Sequence, residues 1–390
     1  MKHIYGIEES GIQWVKKARV ISEGIARDHS TEVDKLGRFP AESVQELAKQ
    51  GFFGLTLGTD VGGQNQPPKV FAAVVEEIAQ NCASTAMIYV MHVAGSQAYA
   101  ASTTFAGKSE LLKKMAKGEH LTTLAFSEKG SRSQFWAPVS QLTQSESGKS
   151  FSITAQKSWI TSATHAHSFV SSAQCPGANS PLESTIFMVK REAIGVHAAG
   201  NFDGLGLRGN DSLPVTYEGV KVSLDELLTA QGQGSKMMLE VVLPWFIVGT
   251  SGMSHGLALA AIKATSGHLS DHSFTNTGSS LRDLPNLRMR LGDMSTRTEA
   301  SRALLGFATA LMENLDAATP LFVLQARASA LTTALEVTDL AMKACGGAAF
   351  SRHLGVERHF RDARAGWVMA PTVDHLQDFI GKAMTGLPLF

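Results

Sequence analysis

The chain changes its apolar periodicity twice, and that double switch limits the folds open to it. From residue 12 to about 115 the texture is helical. The stretch Val70 to Ala101 is apolar at helical spacing and holds no proline. Pro40 opens a further helical segment, Val44, Leu47 and Ala48 share one face of it, and Gly51 closes it. Near Leu121 the segments become short and β-branched: Phe151–Thr154, Ser168–Val170, Ser184–Val189, Val215–Tyr217 and Val220–Val222, separated by Gly, Asn, Ser and Pro. The gaps leave no room for helical crossovers, so antiparallel pairing is expected. From about Gly234 the helical period returns. Leu304, Leu305, Ala308, Leu311, Met312 and Leu315 form one stripe, and Leu324, Leu331, Leu335, Met342 and Cys345 another, with Pro320 between them. The reading is an α+β chain in three parts. Residues 1–118 form an N-terminal all-α domain, 119–230 a middle antiparallel β domain, and 231–390 a C-terminal helix bundle.

Composition narrows the function classes. Lys+Arg and Asp+Glu both number 35 in 390 residues, so bulk charge does not recommend a nucleic-acid partner. A hydrophobic share of 44% with 18% charged residues is globular. The cysteines, Cys82, Cys175 and Cys345, are odd in number and far apart, which speaks against a disulfide framework or a zinc knuckle. Charges throughout the first twenty residues leave no secretory apolar region, and no run of 18 apolar residues implies a membrane span. A cytoplasmic protein is expected.

Common catalytic signatures are absent: there is no G-x-S-x-G, H-E-x-x-H or Walker A. Gly204-x-Gly206-x-x-Gly209 has the dinucleotide spacing but precedes β-type residues, not a helix. His165 and His167 could share a strand face, yet no Cys or carboxylate cluster accompanies them, so no metal site is expected.

Several longer segments, taken in order, carry more. Gly54-Leu-Thr-Leu57 with Gly62-Gly63, Cys82-Ala-Ser-Thr-Ala86, Ala125-Phe-Ser-Glu-Lys-Gly-Ser-Arg-Ser133, Lys157-Ser-Trp-Ile-Thr-Ser162, Gly204 through Ser212, Gly346-Gly347 and Arg361-Asp-Ala-Arg364 together resemble the acyl-CoA dehydrogenase superfamily of flavoproteins. The resemblance runs from about Ala18 to Leu389 and implies the α+β fold of that superfamily: an N-terminal all-α domain, a middle antiparallel β-barrel-like domain and a C-terminal four-helix bundle. It implies FAD, with the smaller FMN as an alternative, and it places Phe126, Ser127, Trp159 and Thr161 at the flavin ring. Residue chemistry agrees, since a flat apolar slab with a polar edge needs an aromatic wall beside hydroxyl partners. The resemblance also places Ser133 near cofactor or substrate phosphates, Gly346 and Gly347 where backbone approaches the diphosphate, and Thr372 at the cofactor. A homodimer or homotetramer is implied.

The chain departs from the family at the expected base. Counting from Arg361 brings the usual glutamate position to Ala370, followed by Pro371; alanine cannot abstract a proton. The alternative position, on the first bundle helix, falls on Trp245-Phe246. Asp374 and Glu240 are candidate substitutes within a turn or two. Glu128 lies in the flavin loop, where the family has an acid that does not serve as base. The family's diphosphate arginine is missing from Asp271-His-Ser-Phe-Thr275, and Arg282 and Arg288 could restore charge; Lys343 stands where the family often has glutamine. Three functions are therefore weighed: α,β-desaturation of an acyl thioester with an atypical or missing base, a flavin-dependent monooxygenase on the same fold, and a non-catalytic subunit. The small-molecule substrate and the electron acceptor or oxygen follow from that choice.

Overall fold

The first six helices gather around one almost wholly apolar member. In the computed structural model, which describes residues 3–198, 200–352 and 354–389, these are α1 (Glu9–Ile21), α2 (Arg27–Leu36), α3 (Ala41–Lys49), α4 (Pro68–Ala79), α5 (Ala83–Ala101) and α6 (Lys108–Ala116). A π-helical turn, Ser22–Ala26, joins α1 to α2. α5 is buried on every face from Ala83 to Ser96, so its sequence has no polar side to show.

Among the described residues seven strands follow: β1 (Thr122–Ala125), β2 (Thr143–Gln144), β3 (Ser150–Ile160), β4 (Ser168–Gln174), β5 (Ser184–Lys190), β6 (Val196–Ala198) and β7 (Leu213–Ser223). They form two sheets, of order β1-β4-β5 and β2-β3-β7-β6. One pair departs from the antiparallel expectation: β1 runs parallel to β4, with Thr122 opposite Ser168 and Ala125 opposite Ser171. The physical reason is that the crossover between them, residues 126–167, passes through the other sheet as β2 and β3. It therefore needs no helix.

The C-terminal part comprises α7 (Gly234–Met237), α8 (Leu243–Asp271), α9 (Pro285–Glu313), α10 (Thr319–Cys345), α11 (Gly347–Phe350), α12 (Val356–Ala363) and α13 (Val373–Thr385). Three long helices, α8, α9 and α10, pack on one another, while α12 and α13 both pack on α10. A π turn, Met238–Val242, fuses α7 to α8. The resulting helix, Gly234–Asp271, is long and apolar enough by length and composition to cross a membrane, but 67% of its most apolar window is buried inside the protein. It is the shared core helix of two domains. Gly252 and Gly256 permit this, because a Cβ at either would lie 2.4 Å from the carbonyl oxygen of Ala72 or Glu76 on α4.

A buried polar chain crosses the same seam. Glu76 of α4 takes Arg302 of α9 at 2.7 Å and also accepts the Tyr5 hydroxyl. His255 of α8 meets Tyr5 at 3.0 Å and Ser301 at 2.8 Å. Each member is satisfied by the next, which makes such a network tolerable in a core. Arg302→Met strands the Glu76 carboxylate. We expect a loss of about 3–5 kcal/mol in unfolding free energy, measured by urea denaturation.

Candidate active site

Two sequence motifs become one wall through a buried ion pair. After β1 the chain enters the loop Phe126–Ser133, and β3 arrives beside it. Ser158 N–H donates to Ser127 O at 2.9 Å, and Lys129 N–H to Gln156 O at 3.0 Å. Beneath this bridge Lys157 Nζ lies 2.6 Å from Glu128 Oε1, with side-chain exposures of 0% and 3%. Lys157 also donates to Ser172 O at 2.7 Å. Glu128 Oε2 accepts the backbone N–H groups of Val139 and Ser140, each at 2.7 Å, and Oε1 accepts the Ser140 hydroxyl. Burial alone would raise the Glu128 pKa, but the Lys157 charge and these donors hold it below the ordinary value.

Trp159 is presented by backbone strain. The β3–β7 register slips between Lys157 and Ile160, and Trp159 takes φ +56° at the slip. Its indole is 70% exposed and meets Phe202 edge-on at 6.5 Å. Thr161 is buried, with its hydroxyl 3.2 Å from that of Ser212.

These residues face a cleft of about 850 Å³ between the β domain and the C-terminal helices. Met87 and Met91 of α5, together with Val242, Leu243 and Phe246 at the start of α8, line its apolar part, and Trp367 to Ala370 close another side. Phe126, Ser127, Ser133, Trp159, Thr161 and Ala370 all line the cleft.

The other expected residues do not. Gly346 ends α10 with φ +57° and is exposed, as is Gly347 at the start of α11. The Thr372 hydroxyl is used as a cap, accepting from His375 N–H at 3.4 Å at the start of α13. Asp374 is exposed on the first turn of α13. Glu240 is exposed on the π turn, although Val242 and Leu243 just beyond it turn inward to the cleft. Arg288 of α9 donates to the backbone carbonyl of Arg282 at 3.0 Å, and Lys343 pairs with Asp339 at 2.6 Å. His165 and His167 lie beyond the end of β3: His165 stacks on Phe39 at 3.8 Å and meets Asp211, while His167 accepts Leu121 N–H. The Gly204–Gly209 loop packs on α12, where a Cβ on Gly206 would stand 2.4 Å from Arg361 O.

Sequence reasoning missed one cation beside the site. Arg327, in the middle of α10, is fully buried and has no carboxylate partner among the described residues. It donates to Met369 O at 3.2 Å, to Pro371 O at 3.3 Å and to the Thr250 hydroxyl, and its guanidinium lies 4.9 Å from the Phe246 ring. Burial lowers its pKa to about 9. It therefore pins the backbone on both sides of Ala370. No local pattern betrays it, since it falls within an ordinary helical stripe. Among the described residues that line the cleft, Glu128 is the one carboxylate, and Lys157 neutralises it.

Three family models match in sequence order: the N-terminal domain of acyl-CoA dehydrogenases over residues 12–119, the middle domain over 123–220 and the C-terminal domain over 232–384. The chain belongs to the acyl-CoA dehydrogenase family. It is 27% identical to the short-chain specific acyl-CoA dehydrogenase, mitochondrial, of Bos taurus over 338 residues, 86% of this chain and 80% of that protein. It is 26% identical to the cyclohex-1-ene-1-carbonyl-CoA dehydrogenase of Geobacter metallireducens over 386 residues, 98% and 99% of the two chains. The fold matches that of butyryl-CoA dehydrogenase from Megasphaera elsdenii with a TM-score of 0.92, at 21% identity, covering 97% of this chain and 99% of that one.

This chain is accordingly an acyl-CoA dehydrogenase-family oxidoreductase of the class acting on CH–CH groups, and the family's cofactor is FAD. The cleft suits that cofactor. Its walls are flat and apolar at Phe126 and Trp159, hydroxyls stand beside them, and the buried Asn210 Oδ1 in its lining has no hydrogen-bond partner.

Glu128→Gln leaves Lys157 charged and unpaired in the core. We expect a loss of about 3–5 kcal/mol, with cofactor retention falling in step, and partial recovery in Glu128→Leu combined with Lys157→Met. The pH dependence has a definite sign. Because the folded pKa of Glu128 is depressed, its contribution is complete above the ordinary glutamate value of 4.5 and is lost as pH falls below it. Denaturation midpoints across pH 3–7 check the pair, and the Gln variant should lose that part of the acid sensitivity.

Proposed function

We propose that the chain is an FAD-dependent desaturase of an acyl thioester that works without a carboxylate base of its own. One observation carries the reading. The aromatic–hydroxyl pairs Phe126-Ser127 and Trp159/Thr161 meet in one cleft with Ala370, and the single carboxylate that lines that cleft among the described residues is neutralised. Bound there, the flavin supplies hydride acceptance. Phe126 and Trp159 would hold the ring's apolar faces, Ser127 and Thr161 its polar edge, and Ser133 phosphate oxygens. Met87, Met91, Leu243 and Phe246 would exclude water around the acyl chain. Asp374 and Glu240 are exposed and off the cleft, so the α-proton would leave to a water molecule rather than to a carboxylate of the chain, while the hydride would go to the flavin. Substrates with an already acidic α-hydrogen are favoured.

Removing a general base costs on the order of 10²–10⁴-fold in rate. Purified protein should release FAD on denaturation, identified by chromatography, and should be reduced slowly by ordinary fatty acyl-CoAs in stopped-flow absorbance. Ala370→Glu should accelerate that reduction. Arg327 beside it favours the ionised carboxylate, while Pro371 restricts the backbone of residue 370. Fast reduction of the wild type would overturn the missing base, and colourless protein that takes up neither FAD nor FMN would overturn the cofactor.

The lack of a free carboxylate also favours a second reading, a flavin-dependent monooxygenase, which needs no α-proton base. It expects oxygen from labelled dioxygen in the product by mass spectrometry, where desaturation expects none.

We also propose a homodimer or homotetramer. Support comes from exposed apolar side chains on the C-terminal helices and the turns beside them: Phe350 at 86%, Val368 at 75% and Met289 at 73%. Light scattering should give a multiple of 41.6 kDa.

A further inference from the structure

The cleft holds a guanidinium for which the function proposed above has no use. Arg364 leaves α12 into a short 3-10 turn, Arg364–Trp367, and lines the cleft at only 6% exposure. Its Nη1 donates to Leu335 O at 3.3 Å and to the Thr338 hydroxyl at 3.2 Å, both on α10. The planar group is held beside two rings, with its carbon 3.6 Å from the Phe360 centroid and 5.0 Å from that of Trp367. No carboxylate pairs with it among the described residues, and Asp339, the acid whose charge reaches it, is taken by Lys343.

Its Nε is buried without a hydrogen-bond partner, and Nη2 makes no hydrogen bond among the described residues. Nε and Nη2 form the side-on edge of a guanidinium, two parallel donors that match two oxygens of a carboxylate or phosphate. A buried donor left unmade is costly, and the rings and α10 hold the group in place with that edge unpaired. The remaining charges agree. Arg361 is consumed by Asp34 and Glu357, each at 2.6 Å, and Glu128 by Lys157, so the lining offers Arg364 no anion.

We infer that Arg364 is an oxyanion subsite of the cleft, which takes a carboxylate or phosphate group of a bound ligand on its Nε–Nη2 edge. The inference rests on the cleft being the ligand site, as proposed above, but not on flavin chemistry. The oxyanion can come from cofactor phosphate, from coenzyme A phosphate, or from a carboxylate on the acyl group.

The experiment compares full-length wild type with Arg364→Lys, which keeps the charge but not the fork, and Arg364→Gln, which loses the charge. Calorimetry gives the affinity for FAD with flavin-free protein, and for butyryl-CoA and glutaryl-CoA, which differ by a terminal carboxylate. Thermal melting with inorganic pyrophosphate, against sodium chloride of equal ionic strength, adds a probe that needs neither flavin nor thioester. We expect Arg364→Gln to weaken at least one ligand by roughly 10–100-fold, the scale of a charge-assisted hydrogen-bond pair, with Arg364→Lys intermediate. Loss confined to FAD and pyrophosphate assigns the subsite to cofactor phosphate. Equal loss of both thioesters assigns it to coenzyme A, and loss confined to glutaryl-CoA to the acyl carboxylate. All affinities within threefold of wild type would overturn the inference. If both variants unfold, wild type decides: no greater stabilisation by pyrophosphate or glutaryl-CoA than by chloride and butyryl-CoA also overturns it. Failure of FAD alone to bind wild type would count against the flavin reading, while the thioester and pyrophosphate arms still decide the subsite.

Discussion

The buried pair of Glu128 and Lys157 is the interaction on which the site depends. The residues stand 29 apart in the chain, one in a loop and one in a strand. Isolated, either charge would be prohibitively costly to bury. Together, with two backbone N–H groups, a hydroxyl and a carbonyl filling the remaining positions, they are satisfied. The pair also draws β3 against the loop after β1, which sets Ser127 and Trp159 into one surface. Trp159 holds a positive φ and an exposed indole because the strand on either side of it is anchored, by Lys157 before it and by buried Ile160 after it.

The cleft itself is made by docking. α8 reaches α4 at backbone distance through Gly252 and Gly256, which brings Phe246 to the cleft near Met87 and Met91. On the far side Arg361 grips Asp34 of α2, while Leu207 N–H donates to Asp362 at 2.7 Å. Three parts of the chain thus meet at α12, and the segment after it carries Arg364, Trp367 and Ala370 to the cleft. Arg327 fixes the end of that segment by its carbonyls. The positions of these side chains follow from contacts between domains rather than from the helices that bear them.

The electrostatics of the cleft follow from the same packing. Its lining holds a neutralised acid, Lys129 and Arg132 of the loop after β1, a paired Arg361 and an unpaired Arg364, with Arg327 behind the wall. An excess of fixed positive charge in a partly dry cleft favours anionic ligands and anionic states of a substrate. It gives no help to a reaction that needs a protein carboxylate to take up a proton.

The sequence by itself determined the order of helices, strands and helices, because periodicity is set locally by which residues must face a core. It also marked Phe126, Ser127, Ser133, Trp159, Thr161 and Ala370, whose motifs are contiguous stretches, and these do line one cleft. It marked no strand at Thr122–Ala125 and expected antiparallel pairing throughout, so the parallel β1–β4 pair escaped it, since a crossover made of strands in a second sheet leaves no helical pattern between them. Gly346, Gly347 and Thr372 were marked with equal force by their motifs, yet within this chain they end or cap helices away from the cleft. Asp374 and Glu240 were near the expected base positions in number but are exposed and off the cleft, because a helix turns each successive side chain by about 100°. Only the tertiary structure decided the cations. Arg327 looks like an ordinary helical residue, and Arg364 stands in the motif Arg361-Asp-Ala-Arg364, which by itself gives it no role; both roles come from burial without a carboxylate, a property of everything packed around them.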